Sequence, residues 1–247
     1  MIILKTKKQI ELIKEACQIV KGALDLVEQH IKPGVTTKEL DRLAEDYIRS
    51  KGAIPSFKGY GGFPSSICAS PNEQIVHGFP NNTPLKEGDI ISIDVGAYKH
   101  GYHGDGARTF AVGQIDLKLK DLIYHTQQCF FEGIKGLKVG DHIGDISARI
   151  QNYAEMHGYS VVRELVGHGV GRDLHEDPQV PNYGSFKSGP IIENGLVIAI
   201  EPMINLGRKE IIFEADGWTT RTKDRKASAH YENTVAITDE GVEILTM

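Results

Sequence analysis

The order of predicted helices and strands repeats at an offset of 106 residues, and this repeat constrains the fold more than any other feature. Apolar positions three and four residues apart predict a helix over residues 6–31, and a second helix over 36–52 precedes strand-like segments. The same order begins again with a helix over 118–136. The matched positions are Leu40 and Ile146, Tyr47 and Tyr153, and Gly52 and Gly158. The repeat predicts an α/β (α+β) fold of two pseudo-twofold-related halves, with chance similarity of two helix-loop-helix stretches as the alternative.

Composition and charge exclude several classes of protein. The 247 residues are 40% hydrophobic and 25% charged, as in a globular protein, and no linker divides residues 1–247 into separate domains. The net charge of −5 argues against nucleic-acid binding because no basic excess is available to neutralise phosphates. No apolar run approaches the roughly 18 residues of a membrane helix. Because Cys17, Cys68 and Cys129 form no C-x-x-C pair, we expect a cytoplasmic protein without disulfides.

Histidine and acidic residues occur in the same order in both halves. The first half carries His77, Asp94 and Asp105, and the second half carries His168, Glu201 and Glu232. If the strands that carry these residues face one another across the pseudo-twofold axis, the side chains form one central, oxygen-rich site.

Asp94 and Asp105 lie on two predicted strands that form a hairpin. A two-residue turn at Lys99 and His100 would place the two carboxylates directly opposite each other. A turn shifted by one residue would pair Asp94 with Ala107 and leave Asp105 diagonal on the same face. Two carboxylates this close repel unless they are protonated or bridged by cations. The alternative is one exposed aspartate and one turn aspartate.

Glu201 and Glu232 are predicted to leave the apolar core at strand positions. Glu201 follows the apolar segment Leu196–Ile200, and Glu232 lies inside a second predicted strand, His230–Ile237. An uncompensated buried carboxylate is costly or becomes protonated, so a metal ion or an arginine partner is expected. The alternative arginine partners are Arg221 and Arg225.

Four carboxylates and one imidazole suit two divalent metal ions better than a cysteine-rich structural zinc site does. Such oxygen-rich ligands fit Mn²⁺, Fe²⁺, Co²⁺ or Zn²⁺. Two ions about 3.5–4 Å apart can activate a water molecule and stabilise a tetrahedral intermediate. The predicted reaction class is hydrolysis of an amide or ester.

These residues and their neighbours resemble the motifs of the methionine aminopeptidases, metallopeptidases of the pita-bread fold, over essentially the whole chain. The matching segments are Ile91–Val95, His103–Asp105, Gly167–Arg172, His175–Pro178, Ile200–Pro202 and Tyr231–Thr234. The chain is similar to the short bacterial type I form, because only 30 residues separate Glu201 from Glu232 and paired cysteines are missing. The resemblance implies a single catalytic domain, residues 1–247, whose halves surround a central antiparallel sheet.

The resemblance also implies a role for each metal ligand. Asp105 and Glu232 would bridge two divalent ions, His168 and Glu201 would complete one ion, and Asp94 would chelate the other. A metal-activated water would attack the first peptide bond while Glu201 transfers protons.

Substrate contacts are implied in the same way. His175 would hydrogen-bond the scissile amide or the intermediate, and His77 would contact the substrate on its leaving side. The implied methionine pocket consists of Tyr60, Phe63, Cys68 and Trp218, for which ordinary core packing is the alternative. Departures from the family pattern occur at the pocket rim, at Gly61, Phe63 and Leu174.

The implied function is removal of the initiator methionine from nascent proteins and peptides that have a small second residue. The implied protein is a cytoplasmic monomer that also contacts the ribosome. Two alternatives remain. A prolidase-like or Xaa-Pro aminopeptidase carries an additional amino-terminal domain, whereas the first predicted helix here begins near residue 6. A non-catalytic pita-bread binding protein typically loses ligands, and all five positions are present here.

Overall fold

Four α-helices, arranged as two pairs, are present in the computed structural model, which describes residues 1 to 247. The helices are α1 Lys7–Glu28, α2 Thr37–Ser50, α3 Leu117–Ile134 and α4 Ile143–Met156. The predicted capping box begins α2, where Thr36 and Glu39 bond each other's backbone N–H groups and so satisfy two free donors. No helix combines the length and the apolar character that crossing a membrane requires.

Fifteen strands complete the fold. They are β1 Ile54–Pro55, β2 Ile67–Pro71, β3 Gln74–Val76, β4 Ile90–Lys99, β5 Tyr102–Ala111, β6 Ser160–Val161, β7 Gly167–Gly169, β8 Glu176–Val180, β9 Leu196–Ile200, β10 Met203–Asn205, β11 Ile211–Phe213, β12 Thr220–Thr222, β13 Ser228–His230, β14 Glu232–Thr238 and β15 Gly241–Ile244. A single 3₁₀ turn spans Tyr60–Gly62.

One antiparallel sheet of nine strands joins the two halves. Its order is β1-β4-β5-β14-β9-β7-β8, with β2 on β4 and β15 on β14. The strands β4 and β5 come from the first half, β9 and β14 come from the second, and the β5–β14 pairing connects them. The predicted class, two related halves around a central antiparallel sheet, is therefore confirmed.

Each helix pair packs against strands of its own half. One hydrophobic core combines α1 and α2 with β2 and β4 and is built from residues 19–112. The other combines α3 and α4 mainly with β9 and β14. The sheet thus packs on a buried apolar core in each half.

The β4–β5 hairpin turns one residue later than a turn at Lys99 and His100 would require. Lys99 pairs with Tyr102, so the turn consists of His100 and Gly101. Both turn residues have positive φ, 52° and 85°, which is the backbone that a tight two-residue hairpin needs and that glycine adopts freely. Of the two registers considered, the shifted one is therefore correct.

The predicted strand over His230–Ile237 is interrupted at Tyr231. Its first part belongs to β13, which pairs with β10, and its second part is β14, which pairs with β9. The backbone N–H of Tyr231 donates instead to the carbonyl of Pro202. The predicted single strand is wrong here, because the chain changes partners where Pro202 separates β9 from β10.

Candidate metal centre and active site

Three carboxylates converge from neighbouring strands of the central sheet. Asp94 on β4 and Glu232 on β14 both pair with Ala107 of β5, from opposite sides. Asp105 lies two residues before Ala107 and therefore points to the same face. The strand register alone places the three carboxylates together.

Glu201 and His168 join this group from the adjacent strands. Glu201 follows β9 immediately. His168 on β7 pairs with Ala199, which lies two residues before Glu201. The Nε2 atom of His168 lies 3.7 Å from Asp105 Oδ2 and 3.7 Å from Glu201 Oε1. The five predicted metal ligands thus form one cluster, although their individual roles remain predictions.

One cavity of about 120 Å³ is lined by every predicted site residue. Besides the five predicted metal ligands, these residues are His77, His175, Tyr60, Phe63, Cys68 and Trp218. Phe57 and Leu174 complete the lining. The cavity has an acidic end formed by the carboxylates and an apolar end formed by the aromatic side chains.

Burial changes the proton equilibria of the carboxylates. Loss of hydration raises the pKa of Asp94 to about 7 and that of Glu201 to about 8. The pKa values of Asp105 and Glu232 also lie well above the ordinary range. Burial is the larger cause, and repulsion from neighbouring carboxylates is the second. Full ionisation of these four carboxyls near neutral pH therefore requires a nearby cation.

The arginines suggested as alternative partners do not supply that cation. Arg221 pairs with Glu214, and Arg225 lies nearest to Glu73. The buried-salt-bridge alternative for Glu201 and Glu232 is therefore wrong. Three buried carboxylate oxygens have no hydrogen-bond partner: Asp94 Oδ1, Asp105 Oδ1 and Glu232 Oε1. This donor set fits a divalent metal ion.

His168 has the protonation pattern of a metal ligand. Its Nδ1 atom lies 2.9 Å from the carbonyl oxygen of Gly169, to which it donates, and this leaves the Nε2 lone pair directed at the carboxylates. Burial lowers its pKa to about 3, so the ring is neutral. An N–H bonded to a carbonyl, with the other nitrogen free, is typical of metal-binding histidines.

Two further histidines lie beside the cluster. Nδ1 of His175 lies 2.8 Å from the hydroxyl of Tyr60, and its ring centroid is 4.2 Å from that of His168. His77 has a left-handed backbone, with φ of 60°, a strained conformation for a residue other than glycine. Burial lowers the pKa of His77 to about 4 and also lowers that of His175. Neutral rings can donate one N–H to a bound substrate.

The apolar end of the cavity is separate from the two main cores. Phe63 and Cys68 are buried in a small cluster with Phe57 and Leu174, against which Trp218 packs. The ring centroids of Phe63 and Trp218 lie 5.2 Å apart. Because these side chains line a cavity rather than fill a core, they can receive an apolar group.

The departures from the family pattern lie at this end of the cavity. Gly61 has φ of 55°, and a Cβ atom built on it would lie 3.2 Å from the ring of Trp218. Leu174 is buried and contributes to the lining. A side chain at position 61 would therefore crowd the ring of Trp218, and glycine avoids this contact.

His230 lies beside the carboxylates and was not among the predicted site residues. Its Nε2 atom is 3.5 Å from Glu201 Oε2 and 3.8 Å from Glu232 Oε2. The available sequence signal was its position two residues before Glu232, which would place both side chains on one face of the single strand predicted over His230–Ile237.

Comparison with known proteins agrees with this geometry. The model of metallopeptidase family M24 matches residues 11–239. The methionine aminopeptidase of Clostridium acetobutylicum is 52% identical over 248 residues, which cover 100% of this chain and 99% of that protein. The chain belongs to the methionine aminopeptidases of metallopeptidase family M24. The prediction of a metal-dependent hydrolase is confirmed.

Solved structures show the same fold. The methionine aminopeptidase from Rickettsia prowazekii has a TM-score of 0.98 and 42% identity, with 100% of each chain covered. The prolidase from Pyrococcus furiosus has a TM-score of 0.82 and 24% identity over 99% of this chain and 65% of that one. The second likeness shows the fold alone, and the prediction of a pita-bread fold is confirmed.

Proposed function

We propose that the chain removes the amino-terminal methionine from nascent proteins and peptides by hydrolysis in this cavity, favouring a small second residue. The observation that carries the proposal is the meeting of buried, unneutralised carboxylates with an apolar pocket in one cavity. The apolar end suits an unbranched, polarisable thioether, and the acidic end suits divalent cations. The activity named in the relatives supports the same conclusion and does not favour a prolidase.

Five side chains would hold two divalent metal ions: Asp94, Asp105, His168, Glu201 and Glu232. Bound there, Co²⁺, Mn²⁺, Fe²⁺ or Zn²⁺ supplies Lewis-acid activation of the scissile carbonyl and of water. A bridging role for Glu232 is supported by its membership in two groups of candidate ligand atoms. Asp105 lies in one of those groups, and its bridging role is carried over from the family resemblance.

Glu201 and His175 would handle protons and developing charge. Burial raises the pKa of Glu201 to about 8 in the metal-free protein, and its role in proton transfer is carried over from the family resemblance. Nδ1 of His175 bonds the Tyr60 hydroxyl. In the tautomer that the proposed role requires, the hydroxyl would donate to Nδ1 and the ring proton would reside on Nε2. That N–H would donate to the scissile amide or to the tetrahedral intermediate.

A wider groove of about 540 Å³ adjoins the cavity and would receive the rest of the peptide. His77, His168, His175 and Glu201 line both spaces, so the scissile bond would lie where they meet. His77 would contact the substrate on the leaving side of this bond. The apolar pocket beyond would hold the methionine side chain against Phe63 and Trp218.

Peptide hydrolysis after metal removal tests this function. The metal-free protein is restored with Mn²⁺ or Co²⁺, and release of free methionine from Met-Ala-Ser is followed. We expect release only from the peptide with a free amino terminus and only with metal, and none from its N-acetylated form. Cleavage of Ala-Pro-Ser instead would assign the chain to the proline peptidases. No cleavage with metal bound would indicate a binding protein.

The cellular setting is part of the same proposal. Residues 1–247 would act as one catalytic domain, because strands from both halves build the site. Three buried free cysteines are compatible with a reducing cytoplasm. Because nascent chains are the proposed substrates, the protein would act beside the ribosome. It would do so as a monomer. Sedimentation of the protein alone and with ribosomes tests both points.

A further inference from the structure

Two groups of candidate metal ligands share Glu232. One group contains Asp105 and His168, and the other contains Asp94 and His230, with all ligand atoms of a group within 4.8 Å of one another. Each group therefore has one aspartate, one histidine and the shared glutamate. We infer that His230 is a sixth ligand of the metal centre and binds, through Nε2, the ion held by Asp94 and Glu232.

The imidazole of His230 is buried without any hydrogen-bond partner. Only 1% of the residue is exposed, and neither Nδ1 nor Nε2 is bonded. Buried polar atoms are nearly always paired, so an orphaned ring beside carboxylates requires an explanation. The backbone of His230 is held in place, because its N–H and carbonyl both bond the hydroxyl of Thr109, at 2.8 and 2.9 Å. The backbone that carries the ring is thus held in place, while both ring nitrogens are without a partner.

Distances around the ring match those around His168. Nε2 of His168 lies 3.7 Å from two carboxylate oxygens, and Nε2 of His230 lies 3.5 and 3.8 Å from two others. These separations exceed the roughly 2.7–3.2 Å of an N–H···O hydrogen bond. Two ligand atoms that each lie about 2.1 Å from one ion are roughly 3–4 Å apart. The separations around His230 therefore fit ligand atoms that share a cation better than they fit hydrogen bonds.

Glu201 lies between the two histidines. Its Oε1 faces His168 and its Oε2 faces His230, so one carboxylate connects both groups. A ring that only positioned Glu201 would donate Nε2–H to it and would leave the ion count and metal spectrum unchanged. Ligation instead requires a free Nε2 lone pair and adds a second imidazole to the metal centre.

The test counts imidazole ligands in the Co²⁺-loaded protein. This inference rests on the proposed metal site, so loading of the unsubstituted protein is measured first, by elemental analysis. X-ray absorption of the loaded protein is expected to show two imidazoles per pair of ions. His230→Gln is expected to lose one imidazole, to alter the visible Co²⁺ spectrum, and to weaken binding of one ion at least about 10-fold.

Two matched histidine substitutions serve as the positive and the negative control. His168→Gln removes the other predicted imidazole and should also leave a single one. His125→Gln changes a half-buried histidine on α3 that is bonded to the Tyr153 hydroxyl, and should leave both the spectrum and the affinity unchanged.

The outcomes separate the inference from the function on which it rests. Failure of the unsubstituted protein to bind Co²⁺ would reject the metal site itself. Normal loading with one imidazole per pair of ions would reject ligation by His230, and this measurement needs no variant to fold. An unchanged spectrum and affinity in His230→Gln would reject it as well.

Discussion

At the scale of single residues, burial determines the chemistry of the site. The same loss of hydration that raises the pKa of Asp94 and Glu201 lowers that of His168 and His230. In the metal-free protein the carboxyls therefore retain protons near neutral pH while the imidazoles are uncharged. Metal ions would displace those protons from the carboxyls, and the uncharged imidazoles would each offer a nitrogen lone pair.

This protonation predicts how stability depends on pH. Unfolded carboxyls ionise near pH 4, whereas folded Asp94 and Glu201 hold protons up to pH of about 7 and 8. The folded state thus binds more protons, and the free energy of unfolding falls as pH rises, by up to about 1.4 kcal/mol per pH unit for each such proton, until the pH passes the folded pKa, which is about 8 for Glu201. The buried histidines do not oppose this trend, because above pH of about 7 they are neutral in both states.

Thermal unfolding in EDTA between pH 7 and 8 measures the effect. We expect Tm of the metal-free protein to fall over this interval, and Glu201→Gln to reduce the slope, because Glu201 is the group whose folded pKa lies at about 8. Saturating metal should also reduce it, since bound ions replace the protons. A Tm that rises with pH in the metal-free protein would contradict the assignment.

Substitution of a predicted metal ligand and substitution of a predicted hydrogen-bond donor should have different effects on metal binding and kinetics. Asp105→Asn should weaken metal binding and reduce kcat/KM by more than about 100-fold, since loss of outer partners alone costs about 10–100-fold. His175→Ala should keep its metal and lose about 100-fold or more in kcat, as expected for one donor to developing charge. Metal analysis beside the kinetics distinguishes the two, and Asp121→Asn, on the exposed face of α3, is the control. Loss of metal in His175→Ala would make that residue a ligand.

At the scale of elements, the turn of the β4–β5 hairpin sets the geometry of the site. The turn at His100 and Gly101 pairs Asp94 with Ala107 and so leaves Asp105 on the diagonal of the same face. A register shifted by one residue would move the side chains of one strand to the opposite face of the sheet. The positive φ of both turn residues therefore controls where the carboxylates meet.

Substitution of Gly101 tests this control. A Cβ atom there meets nothing within 4 Å, so the cost comes from its φ of 85° alone. Gly101→Ala should lower the free energy of unfolding by about 1 kcal/mol or more, whereas Gly101→Asn should lose less, because asparagine tolerates the left-handed region. Urea unfolding of the two variants provides the comparison, and equal losses would argue against a backbone cause.

At the scale of the whole molecule, the segment before α1 braces the loop that carries His175. The ammonium of Lys5 pairs with Glu176 at 2.5 Å, and both side chains are almost fully buried. The backbone N–H of Lys5 also donates to Gly195, at 2.7 Å. Residues far apart in sequence thereby hold the chain next to His175.

Breaking this ion pair should be costly. Lys5→Met leaves the Glu176 carboxylate buried without its partner and should lower the free energy of unfolding by about 3–5 kcal/mol. The double variant Lys5→Met, Glu176→Gln removes both charges and should recover much of the loss. Denaturant unfolding measures the three proteins. A single variant as stable as the original would mean that the pair contributes nothing.

The family and the candidate site were predictable from the sequence because their signals are local. Apolar periodicity, the carboxylate after Leu196–Ile200 and the motif around His168 are each encoded within a few residues, and the repeat orders them. These patterns determined the helix pairs, the central sheet and the residues that meet in the cavity.

Only the tertiary structure decided the details that depend on remote partners. The turn register required both His100 and Gly101 to adopt positive φ, and the break at Tyr231 required the carbonyl of Pro202. The place of His230 in the site depends on Thr109, which lies more than a hundred residues earlier and bonds its backbone. Such contacts form between segments that only folding brings together, so no local pattern specifies them.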